Sequence, residues 1–419
     1  LLLRNDADGT VNEGEIKATD AQRNPSVVKT TVSYINKVLG TELSRAEMEK
    51  IFDQLGFTVA GSEDELVVTI PNRRWDISIP ADLVEEVGRI YGYDNLKSTQ
   101  PLLAETHGGY SAKETAMRRI KDIVQGQGLM EAISYSLTSP EKAISFTKDP
   151  KPVVEVQWPL NSSRSTMREN LITGLVDAAS YNMARKQKEL ALFEQGRVYD
   201  HENNTFNEHE HLAALYSGHT LAANWQHLDQ KIDFYFVKGQ LTNLFRAIGI
   251  KDEDVEYRAE LVQGMHPTRT AGIYINDQYI GLIGMLAHAV TTLDKALRGS
   301  EIYVYEIDLD TIVSMLHKGM KAKAAPKFPA IERDLSLLVP NDVTNAQIEA
   351  QIKLNGGKYL YDIRVIDVYA GSQIESGHKS ISYSLTFLNE KDTLTDEVVA
   401  TAMEKIEADL KESLKIKVR

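Results

Sequence analysis

Four carboxylates stand within eleven residues of the stretch "IPNRRWDISIPADLVEEVGRIYGYDN": Asp76, Asp82, Glu85 and Glu86. Pro80 opens a helix there, since its missing N–H lacks a partner in a first helical turn anyway. Asp82, Glu85 and Glu86 then fall at i, i+3 and i+4 on one face, with Leu83, Val87, Ile90 and Tyr91 on the other. Asp76, just ahead of the helix, can fold back over the same turn to add a fourth oxygen donor. Such a hard-oxygen set suits Mg²⁺, which keeps part of its water shell and so need not touch all four acids. The competing reading is a solvated acidic face. The helix dipole favours acids in the first turn, and Arg89, four residues after Glu85, is spaced to pair with it. Spacing alone leaves both readings open.

The surrounding elements set where these acids sit. "SYINKVLG" and "SRAEMEKIFDQLG" read as two short helices, the second opening on a capping box from Ser44 to Glu47 and both ending on glycine. "ELVVTIP" is a strand, so residues 28–97 form a small helix-helix-strand-helix module preceded by a polar, turn-rich segment, residues 1–27. Asp6-x-Asp8-Gly9 within that segment brings its glycine too early for a calcium loop and is a turn.

Residues 98–325 open with a helix capped by Ser111 and Glu114. Strands follow at "LALFEQGRVYD", "HLAALYSGH", "AGIYI", "YIGLIGML" and "YVYEIDL", with helices near 169–185 and 235–247. Hairpin-like gaps between them predict a mostly antiparallel sheet with helices packed on it. After the linker "KGMKAKAAPKFPA", residues 326–419 run strand, helix, strand, strand, helix, strand. That order is the ferredoxin-like βαββαβ split, and strict alternation in "ISYSLTF" fits a sheet with one face on its helices.

Composition removes several classes of function. The 419 residues contain no cysteine, which excludes disulfides, thiolate zinc sites and a cysteine nucleophile. No apolar run is long enough to span a bilayer and no signal peptide is visible, which points to a cytoplasmic protein. Lys and Arg number 47 against 60 Asp and Glu, a net charge of −13 that argues against broad, non-specific nucleic-acid binding. From Pro326 onward 12 cations face 15 acids, so RNA contact there needs a few local cations. Arg333, Lys358, Arg364, Lys379 and Lys391 are the candidates, weighed against ordinary surface charges. His209, His211 and His219 lack the HExxH spacing, with Ala213 where the second histidine belongs, and read as a polar strand rim. His266 reads as a turn residue.

"PNRRWDISIPADLVEEVGRIYGYDNL" resembles the signature of the bacterial phenylalanyl-tRNA synthetase beta subunit family. "PLNSSRSTMRENLITGLVDAASYN", "LALFEQGRVYD", "FYFVKG" and "HPTRTAGIYINDQYIGLIGML" are similar to that family's synthetase-like domain. "FPAIERDLSLLVP", "YDIRVIDVYAG" and "SISYSLTFLNEKDTLTDEVV" resemble its ferredoxin-fold anticodon-binding domain. The likeness covers residues 28–419 in the family's order. It implies an α+β multidomain chain with three parts: a winged-helix-like small module, a class II synthetase-like antiparallel sheet domain without an active site, and a ferredoxin-like domain.

The resemblance further implies that Asp76, Asp82, Glu85 and Glu86 hold Mg²⁺. It also implies an alpha subunit as partner, in a heterotetramer of two alpha and two beta chains, with ATP bound at the alpha subunit and tRNA(Phe) as the nucleic acid. The sheet domain departs from an active class II site. "LFEQGRVYD" lacks an Arg-x-Glu, and the glycines of "YIGLIGMLAHAV" are followed by no arginine. The chain starts Leu-Leu-Leu-Arg rather than with Met and reads as part of a longer polypeptide without the family's amino-terminal tRNA-binding and editing modules. Two other readings compete: a stand-alone Mg²⁺-dependent phosphotransfer protein, which would lack a phosphate-cradling loop, and an RNA-binding scaffold without a synthetase partner.

Overall fold

A computed structural model describes residues 2–18, 24–100, 107–221, 225–226, 229–316, 324–371 and 374–419. The chain divides into two compact units, residues 1–109 and 110–419. Of the linker expected at residues 318–330, residues 318–323 lie outside the described residues.

In the first unit the strand Ser26–Thr31 precedes the helix Val32–Leu39, and Thr31 ends the strand and caps the helix by accepting from the Tyr34 N–H. By its residue pattern alone the sequence reads as helical from Thr30. The β-branched run Val27, Val28, Thr30, Thr31 instead favours an extended chain up to the cap. The helix Arg45–Gln54 carries the expected capping box. Strands Thr58–Ala60 and Glu65–Ile70 complete a three-stranded antiparallel sheet with Glu65–Ile70 in the middle, where one strand had been expected. The helix Pro80–Tyr91 closes this core with Leu83, Val84 and Val87 packed against Ile35, Phe52 and Val68.

A seven-stranded sheet dominates the second unit. Its order is Val255–Ala259, Met265–Ile275, Gln278–Leu286, Ile302–Asp308, Thr205–Ser217, Leu190–Glu202 and Met130–Glu131, antiparallel throughout except for the final pair. Both faces are covered. Leu212, Ala214 and Tyr216 meet helices Ala112–Gly126 and Phe234–Ile248 on one side, while Ala213 and Leu215 meet the helix Ile172–Met183 on the other. Burial on both sides explains why "HLAALYS" is apolar without alternation. Gly281, at φ +152°, sits where a Cβ would come within 2.0 Å of the Glu306 carbonyl oxygen, so only glycine lets these strands meet.

Residues 326–419 form a four-stranded antiparallel sheet in the order Leu360–Tyr369, His378–Phe387, Ile331–Pro340, Lys417–Val418. Helices Asn345–Asn355 and Asp396–Leu414 cover one face through Ile348, Ile352, Val399, Ile406 and Leu410. This is the ferredoxin-like arrangement expected from the element order.

Candidate functional site

The acidic helix of the first unit departs from a uniformly wet face. Glu86 is only 4% exposed, while Ile90, expected on the apolar side, is exposed. Arg74 reaches Glu86 from the turn before the helix, where the Arg74 N–H bonds the Pro71 carbonyl. Its guanidinium donates to both Glu86 oxygens, from Nη2 to Oε1 at 2.8 Å and from Nη1 to Oε2 at 3.0 Å. The same guanidinium holds Asp76 at 2.8 Å, and Arg89 donates to Glu86 at 2.7 Å. Arg89 therefore pairs three residues back with Glu86 rather than four back with Glu85.

Asp82 faces the backbone. Its Oδ2 accepts from the Ser78 and Ile79 N–H groups at 2.7 and 2.9 Å, which stabilises the helix start. Glu85 is exposed. The hydrogen bonds from Arg74 hold the Asp76 carboxyl below its ordinary range. The same arginine, against the opposing effect of burial and with help from Arg89, does so for Glu86. Asp76 and Glu86 thus converge on one cation, while Asp82 is turned to the backbone and Glu85 is exposed. Among the described residues no three acidic or histidine side chains are grouped as metal ligands. Arg74 escaped the sequence reading, although "NRRWD" places a cation two residues before Asp76.

Two buried polar centres lie in the seven-stranded sheet domain. Arg168, from "STMREN", donates from Nη1 to Glu194 Oε1 at 2.6 Å and to Ser134 Oγ at 2.8 Å, and from Nε to the Arg197 carbonyl at 2.9 Å. A Cβ at Gly196 would stand 2.7 Å from the Arg168 guanidinium, so glycine makes room for the pair. Glu306 accepts from the Leu171 and Ile172 N–H groups at the start of the helix Ile172–Met183, and His211 Nδ1 lies 2.7 Å from it. His209 Nε2 lies 2.9 Å from Asp200, while His219 lies near Glu189 and Asp229. His209 and His211 each face one carboxylate and His219 two, with His211 half-buried instead of on a polar rim. His266, expected in a turn, lies instead in the strand Met265–Ile275, at a register irregularity between Met265 and Thr270 where its Nδ1 accepts from the Thr268 N–H.

The five cations singled out in the ferredoxin-like domain do not share one face. Arg333 stands opposite Leu385 and pairs with Asp396 at a helix start, and Lys379 donates to the Val343 carbonyl at 2.7 Å. Both are turned toward the side the helices cover. Arg364 is exposed on the edge strand opposite Ser384, on the other face. Lys358 Nζ lies 4.8 Å from the Tyr359 ring centroid, and Lys391 is exposed in the turn before the last helix.

Comparison with known proteins places this geometry in a family. Residues 28–93 match the family described as tRNA synthetase B5 domain, and residues 326–419 match the ferredoxin-fold anticodon binding domain. Residues 96–309, half of the chain, match the phenylalanyl tRNA synthetase beta chain CLM domain. The chain belongs to the phenylalanyl-tRNA synthetase beta chain family. Within that family, all 419 residues are 73% identical to a phenylalanine–tRNA ligase beta subunit of Lactobacillus acidophilus, of which they cover 52%. Identity is 42% to the beta subunit of Latilactobacillus sakei, over 98% of the chain and 51% of the relative. It is 41% to that of Streptococcus pyogenes, over 100% of the chain and 52% of the relative. The chain thus spans about half the length of these curated relatives. Among solved structures, a pyrrolysyl tRNA synthetase of Desulfitobacterium hafniense aligns over 49% of this chain and 71% of its own, at 14% identity and a TM-score of 0.36. Among the described residues no helix is long and apolar enough to cross a membrane.

Proposed function

We propose that this chain is the part of a phenylalanine–tRNA ligase beta subunit that assembles with a catalytic alpha subunit and helps to seat tRNA(Phe), without performing the chemistry. The observation that carries this reading is the buried state of Arg168. An arginine that stabilises charge on a reacting phosphate must face the substrate, whereas this one is spent on Glu194, Ser134 and a backbone carbonyl. The sheet domain is a class II synthetase-like scaffold with ATP bound at the partner, in a cytoplasmic heterotetramer of two alpha and two beta chains. The small module is winged-helix-like. The same burial of Arg168 disfavours a stand-alone phosphotransfer enzyme.

Asp76, Asp82, Glu85 and Glu86 are the residues that would hold one Mg²⁺, on the hard-oxygen chemistry of the set. Holding it would require Arg74 to release Asp76 and Glu86 and Asp82 to turn from the Ser78 and Ile79 N–H groups. In the chain by itself Arg74 supplies positive charge to Asp76 and Glu86. An ion shared with the alpha subunit would make assembly depend on magnesium. When bound, the ion supplies structural charge neutralisation at the subunit contact.

Phenylalanine-dependent ATP–pyrophosphate exchange tests the assignment. The purified chain should give none, and activity should appear when it is combined with the alpha subunit. Turnover by the rigorously purified chain, with the reaction lost on Arg168→Met, would overturn the reading.

A further inference from the structure

A cavity of about 280 Å³ opens on the seven-stranded sheet, close to the lower limit of small-molecule sites at about 300 Å³. Its walls are both apolar and acidic. Phe146, Val198, Ile280 and Leu282 supply hydrocarbon, and carboxylates outnumber lysines among the lining residues five to two. The cations present are already engaged. Lys148 donates to Glu260 at 2.7 Å and Lys151 to Glu202 at 2.7 Å, both carboxylates outside the lining. Lys151 also reaches Asp200 at 3.4 Å, and His209 and His211 are held by Asp200 and Glu306.

One acceptor on this wall is left over. Glu169 is 8% exposed, lines the cavity, and its Oε1 has no hydrogen-bond partner among the described residues. A buried carboxylate oxygen without a donor is costly, and a native structure keeps one where something else supplies the donor. The residue beside it in sequence shows the contrast, since the Asn170 amide donates to the Ala143 and Ser145 carbonyls and to Thr147 Oγ1.

We propose that this cavity binds a small organic ammonium ion, its cation on Glu169 and its apolar body against Phe146, Val198, Ile280 and Leu282. An ammonium group brings three donors and a positive charge to an acidic wall, whereas a carboxylate or phosphate would meet repulsion from Glu169 and Asp200. A neutral alcohol offers one donor and no charge. Gly281 in the lining keeps the wall low, because any side chain there would strike the Glu306 backbone.

Calorimetric titration of the full chain with phenethylamine tests this, with 2-phenylethanol and 3-phenylpropionate as uncharged and anionic controls of matching shape. The amine should bind saturably at one site, roughly ten- to hundredfold tighter than the alcohol, as a charge-assisted hydrogen bond requires. The acid should not bind. Glu169→Gln should remove that preference for the amine. The comparison of three ligands on the unmodified chain stands even where the variant folds poorly. Absence of saturable amine binding, equal binding of the alcohol, or an unchanged preference in a folded Glu169→Gln chain would each overturn the proposal.

Discussion

Arg74 clamps Glu86 through both carboxylate oxygens, at 2.8 and 3.0 Å, while holding Asp76 with the same guanidinium. Glu86 lies on the buried side of its helix, so this arginine decides whether the acid is tolerable there. A buried carboxylate that loses a bidentate partner keeps its desolvation cost without the compensating hydrogen bonds.

Arg74→Gln should therefore destabilise the chain by roughly 3 kcal/mol, with Arg89 limiting the loss. Should the four acids hold magnesium, millimolar Mg²⁺ will raise the melting temperature of this variant more than that of the parent. Thermal unfolding with EDTA and with Mg²⁺ measures both effects. Unchanged melting of the variant in EDTA would show that Arg74 does not support Glu86.

Asp76 and Glu86 give a pH signature opposite to that of Glu169. Asp76 and Glu86 are held below their ordinary values, so their contribution is present above about pH 4.5 and is lost as pH falls through the lowered folded-state values. Glu169 is pushed up to about 7 by burial, with Asp200 adding to the effect and Lys151 opposing it. A carboxyl raised on folding costs nothing below its unfolded value and its full penalty above its folded one. Stability should thus fall between about pH 4.5 and 7 on its account. Glu169→Gln should flatten that slope, gaining up to about 3 kcal/mol relative to the parent between pH 5 and pH 8. Denaturant midpoints across that range provide the measurement, and parallel curves would refute the assignment.

Arg168 and Glu194 form a pair buried on both sides. Arg168→Met or Glu194→Gln alone should cost about 3–5 kcal/mol, and the double change Arg168→Met with Glu194→Leu less than the sum, because it leaves no lone buried charge. A double-mutant cycle reads the coupling. Strict additivity would mean that the two residues do not act together.

Much of this was legible in the sequence, for reasons visible in particular residues. The ferredoxin-like order could be read because Thr344 and Gln347 form a true capping box and "ISYSLTF" alternates against one helical layer. The strand Ser26–Thr31 was hidden, since its pairing with Glu65–Ile70 is set by residues far along the chain. The helix carrying Asp82, Glu85 and Glu86 was plain from Pro80. Its partner Arg74 was not, because an ion pair across 12 residues depends on a turn that periodicity does not report. The same holds for Arg168 and Glu194, 26 residues apart.

Within the ferredoxin-like domain, Arg364 and Lys391 should matter to tRNA more than Arg333 and Lys379, which are turned to Asp396 and the Val343 carbonyl. Arg364→Ala and Lys391→Ala should each weaken binding and lower the slope of log affinity against log salt by about one. Filter binding over a salt series reports this. Equal effects from all four substitutions would contradict the assignment by face.

Assembly with the alpha subunit tests the central claim most directly. Sedimentation of this chain mixed with the alpha subunit of the same ligase, in Mg²⁺ and in EDTA, should show a complex of equal stoichiometry that weakens without the ion. Glu86→Ala should weaken it further while leaving Leu83 and Val87 packed. Two species sedimenting independently in Mg²⁺ would contradict the account.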